Sequence, residues 1–93
     1  MTIIYPAVFK ENKDGSYSGY LPDLEMCEFS GRDLNFAIDE AASSLYEWVR
    51  VELMEEENPM MPDASDDSDI QLENGEFIRN ISIHFKYSEG WDE

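Results

Sequence analysis

Residues 14–42 read DGSYSGYLPDLEMCEFSGRDLNFAIDEAA, and the order of parts in this stretch decides the fold. Asp14-Gly15 is a hairpin signal, because glycine supplies the positive φ that tight turns need. Residues 16–22 then alternate. Tyr17, Gly19 and Leu21 share one face, and Ser16, Ser18 and Tyr20 the other, until Pro22-Asp23 closes the strand. A third short strand is expected over 26–30, with Cys27 and Phe29 pointing one way and Met26, Glu28 and Ser30 the other. Gly31 bends the chain into a helix. Asp33 suits its N-cap, since a carboxylate there accepts from the free N–H groups of the first turn and favours the positive end of the dipole. Leu34, Ala37, Ile38, Ala41, Leu45, Trp48, Val49 and Leu53 recur at spacings of three and four, an apolar stripe broken by Glu52 near its end. Phe36 and Tyr46 lie off the stripe and are free to touch something else. Glu55, Glu56 and Glu57 oppose the dipole at the C-terminus, so the helix is expected to fray before Pro59.

Upstream, residues 2–10, TIIYPAVFK, are β-branched and aromatic, as strands prefer. Both faces are apolar, so this strand is either central and covered twice or part of a subunit interface. Pro6 cannot donate to a ladder, which predicts a local gap or bulge on one side. Downstream, residues 58–75 form a long acidic connection with two prolines, of the kind that is either a solvated linker or a functional arm. Asn74-Gly75 turns into a last strand over 76–87, EFIRNISIHFKY. There Phe77, Ile81, Ile83, Phe85 and Tyr87 alternate with mostly polar partners. Trp91, in the tail, reads as a loose cover for the sheet.

The fold class is therefore α+β, with element order β-β-β-α-β. One main helix crosses one face of a sheet in order 3-2-1-4. A right-handed crossover would let strand four lie parallel beside strand one. The opposite face would carry Ile4, Val8 and Tyr20, an uncovered apolar patch that invites a second subunit.

Ninety-three residues fit one domain, 1–93, with a modest core. Twenty-two Asp and Glu against six Lys and Arg give a formal net charge of -16. Such a chain repels phosphate backbones and anionic membranes, so nucleic acid and membrane are poor direct partners. A basic protein is its electrostatic complement, and the field would speed their encounter. The single cysteine, Cys27, cannot form an internal disulfide, which fits a reducing cytoplasm. No leader or membrane-length apolar run opens the chain.

Catalytic constellations are weakly represented. Carboxylate pairs mean little among so many acids, and the first strand carries none before Glu11, which argues against a metal-dependent nuclease of RNase H type. Residues 63–69 share only composition with a calcium loop: counted from Asp63, position six is Ser68 and position twelve Asn74, where Gly and Glu are required. His84 stands alone on a polar strand face and reads as a surface histidine. Cys27 reads as a small buried hydrophobe. No metal, no cofactor and no enzymatic activity is expected.

Tyr5-Pro6-Ala7, Asp14-Gly15-Ser16-Tyr17, Pro22-Asp23-Leu24 followed by Cys27, then Gly31, Leu34 and Ala37, stand in an order and spacing that resemble the HicB-like antitoxin family. Glu25-Met26 occupies the place of a Pro-Gly in that pattern, and Phe36 that of a helix-opening Glu. The resemblance implies a partial RNase-H-like domain without the nuclease's acids. It also implies a role as antitoxin, binding a small basic toxin that cleaves messenger RNA. On that reading Glu52, Glu55, Glu56, Asp63, Asp66, Asp67 and Asp69 would form the toxin-facing surface. Many family members add a C-terminal DNA-binding module; the chain ends at Glu93 without one, so direct operator binding is not expected. The alternative is a stand-alone homodimer with a non-catalytic regulatory or scaffold role, paired through Ile4, Val8 and Tyr20.

Overall fold

A computed structural model describes residues 2–55 and 61–85. Its elements are β1 (Thr2–Glu11), β2 (Tyr17–Tyr20), β3 (Glu28–Gly31), α1 (Leu34–Glu55) and β4 (Glu76–His84). They build one four-stranded sheet in the order β3-β2-β1-β4, with α1 across one face. The order of elements and the order of strands are those the sequence implies. Expectations for residues 86–93, Tyr87 and Trp91 included, fall outside the described residues.

The hairpin forms where Asp14-Gly15 predicts it. Gly15 has φ 90°, and Asp14 Oδ1 accepts from the Ser16 N–H at 3.0 Å and the Ser16 hydroxyl at 2.6 Å. These two bonds hold the Asp14 carboxyl below the usual carboxylate range. Alternation then sorts the faces. Tyr5, Ala7 and Phe9 of β1 meet Phe29 of β3 and Ile81 and Ile83 of β4 in one core under the helix stripe Ala37, Ala41, Leu45 and Val49. Phe9 lies at its centre, 4.9 Å from the Phe29 ring and stacked at 5.5 Å on Phe77. Gly19 is required beneath this cluster: a Cβ there would stand 2.0 Å from the Val8 carbonyl oxygen and 2.6 Å from the Phe29 ring. Pro6 pairs with Asn80 of β4 but lies beyond the β2 ladder, which covers only Val8–Glu11, so a residue without an N–H is tolerated in a central strand.

The helix begins at the predicted cap, where Asp33 Oδ1 accepts the Phe36 N–H at 2.8 Å. Tyr46, off the main stripe, packs on Phe85 with ring centroids 5.1 Å apart. Phe36, also off the stripe, is exposed beneath the Arg32 guanidinium at 4.7 Å. Two side chains of α1 tie it to the rim of the sheet. The Ser44 hydroxyl donates to the Glu28 carbonyl at 3.1 Å, and the Trp48 indole N–H to the Glu25 carbonyl at 3.1 Å.

One expectation is overturned. β4 runs antiparallel to β1, not parallel, with Thr2 opposite His84 and Lys10 opposite Glu76. The path of the chain explains this. The 22-residue helix, roughly 33 Å long, carries the chain from the Gly31 end of the sheet to the other. The connection then climbs back before β4 begins beside Lys10. On the way the Tyr5 hydroxyl donates to the Pro62 carbonyl, and Asp23 takes the Ser65 N–H at 2.9 Å and hydroxyl at 2.5 Å. With the crossover and the return both made outside the sheet, the last strand re-enters head to tail.

Candidate partner-binding surfaces

Three surfaces follow from this arrangement. The first is the acidic connection. Asp63, Asp66, Asp67 and Asp69 are all exposed, and Asp67–Asp69 close a short 3-10 turn in which the Asp69 N–H donates to the Asp66 carbonyl at 2.9 Å. The segment is fastened to the body rather than free. Its anchors are the Pro62 and Ser65 bonds above, and Met61 packs against the core. Burial raises the Tyr5 phenol's pKa, with the Asp23 and Asp63 charges adding to the effect. The acids are thus held as a fixed ridge.

The second surface lies at the connection that carries Asp23, on its side towards α1. Leu21–Cys27 connects β2 to β3 through three backbone bonds: Leu21 N–H to Cys27, Leu24 to Leu21, and Cys27 to Leu24. Leu21, Leu24 and Cys27 point inward and are buried, and burial pushes the Cys27 thiol up, so it stays protonated at neutral pH. Met26 occupies the third place of the turn Leu24–Cys27 with φ 59°, the left-handed region that normally calls for glycine. Its side chain is 89% exposed. Between this turn and α1 runs an open groove of about 670 Å³, with Met26, Trp48 and Val51 as its apolar part and Glu25, Glu28, Glu47 and Glu52 around it. Arg50 pairs with Glu47 at 2.9 Å and keeps that carboxyl below its usual range.

The predicted acids therefore take two places. Glu52 lines the groove, while Asp63, Asp66, Asp67 and Asp69 belong to the ridge fastened on Asp23. The turn Leu21–Cys27 joins the two, held by Trp48 on one side and Ser65 on the other. Glu56 lies outside the described residues, and of Glu55 only the backbone, the last turn of α1, is described. Sequence reasoning missed the groove. Its signal was present at Met26, an apolar residue where the turn pattern asks for glycine.

The third surface is the sheet face opposite α1. Ile4 is 52% exposed and Tyr20 38%, whereas Val8 is buried, sitting opposite Tyr20 on one side and Ile78 on the other. Among the described residues no three His, Cys, Asp or Glu side chains are grouped to hold a metal ion. No described helix is long and apolar enough to cross a membrane.

Solved structures share this architecture. The chain superimposes over its whole length on 79% of a chain from a toxin–antitoxin complex of Streptococcus pneumoniae, with a TM-score of 0.69 and 19% identity. The chain has the HicB antitoxin fold. A HicA3–HicB3 toxin–antitoxin complex matches 84% of the chain over 94% of its own, with a TM-score of 0.63 and 21% identity. The HicB antitoxin of Burkholderia pseudomallei matches 94% of the chain over 64% of its own, with a TM-score of 0.68 and 15% identity. No protein-family model matches the sequence, and no curated protein matches it. The HicB fold is thus reached here with few of its residues kept, which is consistent with a core specified by pattern and volume rather than identity.

Proposed function

We propose that this chain is a non-catalytic antitoxin of HicB type that acts in the cytoplasm and sequesters a small basic, mRNA-cleaving toxin. The observation that carries the reading is the pairing of the HicB fold with a fixed acidic ridge on a chain of net charge -16. Two of the matching structures are toxin–antitoxin complexes. The ridge acids Asp63, Asp66, Asp67 and Asp69, with Glu52, Glu55 and Glu56, supply the field that draws a cationic partner. An anchored loop also spends less ordering entropy on binding than a free one.

Co-expression with any small basic protein that a neighbouring gene encodes tests the proposal. The chain should relieve that protein's toxicity, and the two should copurify. Their association should weaken steeply as salt rises, because exposed charges are screened within about 10 Å at 0.1 M. A toxic neighbour that neither binds at low salt nor is neutralised would refute it.

The exposure of Ile4 and Tyr20 on a sheet face that no described helix covers favours a second reading alongside the first. The chain would pair with itself through that face, around the buried Val8, in a regulatory or scaffold role. Light scattering decides it: a dimer that Ile4→Asp converts to monomer is expected, and a wild-type monomer ends the idea.

A further inference from the structure

Met26 is unfavourable twice over. A non-glycine residue at φ 59° carries backbone strain, and a side chain 89% exposed gives its apolar surface to water. It repays neither cost inside the molecule, because Leu21, Leu24 and Cys27 already fill the core beneath the turn. A strained residue kept in place by its surroundings points to a use outside the fold. Met26 overhangs the groove whose apolar part is completed by Trp48 and Val51. The bond from the Trp48 indole to the Glu25 carbonyl fixes the distance between turn and helix, so the groove exists before any partner arrives. Glu25, Glu47 and Glu52 stand around it, and Arg50 pairs with Glu47.

We infer that this groove receives an apolar side chain from a basic segment of the toxin, with Met26 as its adaptable wall and the glutamates pairing with flanking Lys or Arg. The inference rests on the antitoxin reading and refines it: the ridge attracts, and the groove holds. An apolar cleft inside an acidic rim matches a cationic segment with a hydrophobic anchor in both shape and charge. Methionine suits such a wall because its unbranched thioether adapts to an irregular guest.

The test uses the full chain carrying Trp91→Phe, so that Trp48 is its only indole, with a small basic protein from a neighbouring gene, any tryptophan of its own replaced by phenylalanine, as probe. Binding should shift Trp48 emission. Met26→Gly should raise the melting temperature yet weaken binding roughly ten- to hundredfold, the value of one buried methionine side chain. A variant that folds better and binds worse cannot be explained by misfolding. Val51→Asp, on the exposed side of α1, should weaken binding at least as much. Asp66→Asn with Asp67→Asn should slow association and leave the Trp48 shift intact. Tight binding that ignores Met26→Gly and Val51→Asp, with Trp48 emission unchanged at saturation, overturns this inference and spares the antitoxin reading. A wild-type chain that fails to bind at all overturns both.

Discussion

Replacing Gly31 with alanine should cost about 3 kcal/mol of stability. Gly31 ends β3, and the first turn of α1 lies directly on it. A Cβ at this position would stand 2.4 Å from the Ala37 nitrogen, 2.7 Å from its Cα and 2.8 Å from the Phe36 carbonyl carbon. Ordinary contact begins at 3.4 Å, so the helix must retreat by about 1 Å. The obstructing atoms are backbone, and no rotamer change relieves them. Retreat separates Ala37 and Ala41 from the sheet, and a gap of that size forfeits about a quarter to a half of each contact's attraction. Overpacking typically costs about 1–3 kcal/mol, and a backbone clash belongs at the upper end. A domain of this size has roughly 5–14 kcal/mol in all, so the melting temperature should fall by roughly 12–24 °C. Urea unfolding followed by far-UV circular dichroism measures the change, with the slope m held constant as a check on two-state behaviour. Gly15→Ala is the control. It has a positive φ but nothing within 4 Å of the added methyl, and it should lose only about 1 kcal/mol. A Gly31→Ala midpoint within about 0.5 kcal/mol of wild type would show that the helix is not seated on the glycine as described.

Asp33→Ala removes the acceptor of the Phe36 N–H and should cost about 1 kcal/mol, read from the same urea curves, whereas Asp33→Asn should nearly preserve stability. Met26→Gly should stabilise the fold by about 0.5–1 kcal/mol, the relief of left-handed strain less the entropy glycine loses on folding; an unchanged or lower midpoint would mean the strain is not there. Tyr5 titrates higher in the fold than in the unfolded chain, so its contribution is whole below about pH 10 and is lost as pH rises through the raised folded value. Tyr5→Phe should lose about 1 kcal/mol at pH 7 with the Pro62 bond, yet decline less than wild type above pH 10. Parallel alkaline declines would contradict that, and because both chains keep Cys27, their difference isolates the phenol.

The fold was legible wherever its signal was local. Asp14-Gly15, the alternation through Tyr17 and Leu21, the Asp33 cap and the stripe from Leu34 to Leu53 each specify their own conformation within a few residues. The strand order also matches, although the parallel crossover from which it was expected is not the one that forms. The groove was less legible. Trp48 reads as one more member of the stripe, and only its indole bond to Glu25 shows that it also faces the turn. The seven acids could be named but not placed, because charge has no period: any exposed position accepts a carboxylate, and its neighbours in space are set by the chain's path.

That path marks the division. The sequence by itself determined which segments are strands, which is the helix, which faces are apolar and that the surface is strongly negative, because side-chain periodicity and turn chemistry act over short range. Only the tertiary structure decided that β4 runs antiparallel, that Val8 is covered while Ile4 is not, and that Met26 is held at φ 59° beside Trp48 and Val51. The return path that reverses β4 shows in contacts such as Tyr5 to Pro62 and Asp23 to Ser65, made between residues 57 and 42 positions apart. Local pattern carries no record of such contacts; they arise when a long connection must cross back over a sheet to close the core.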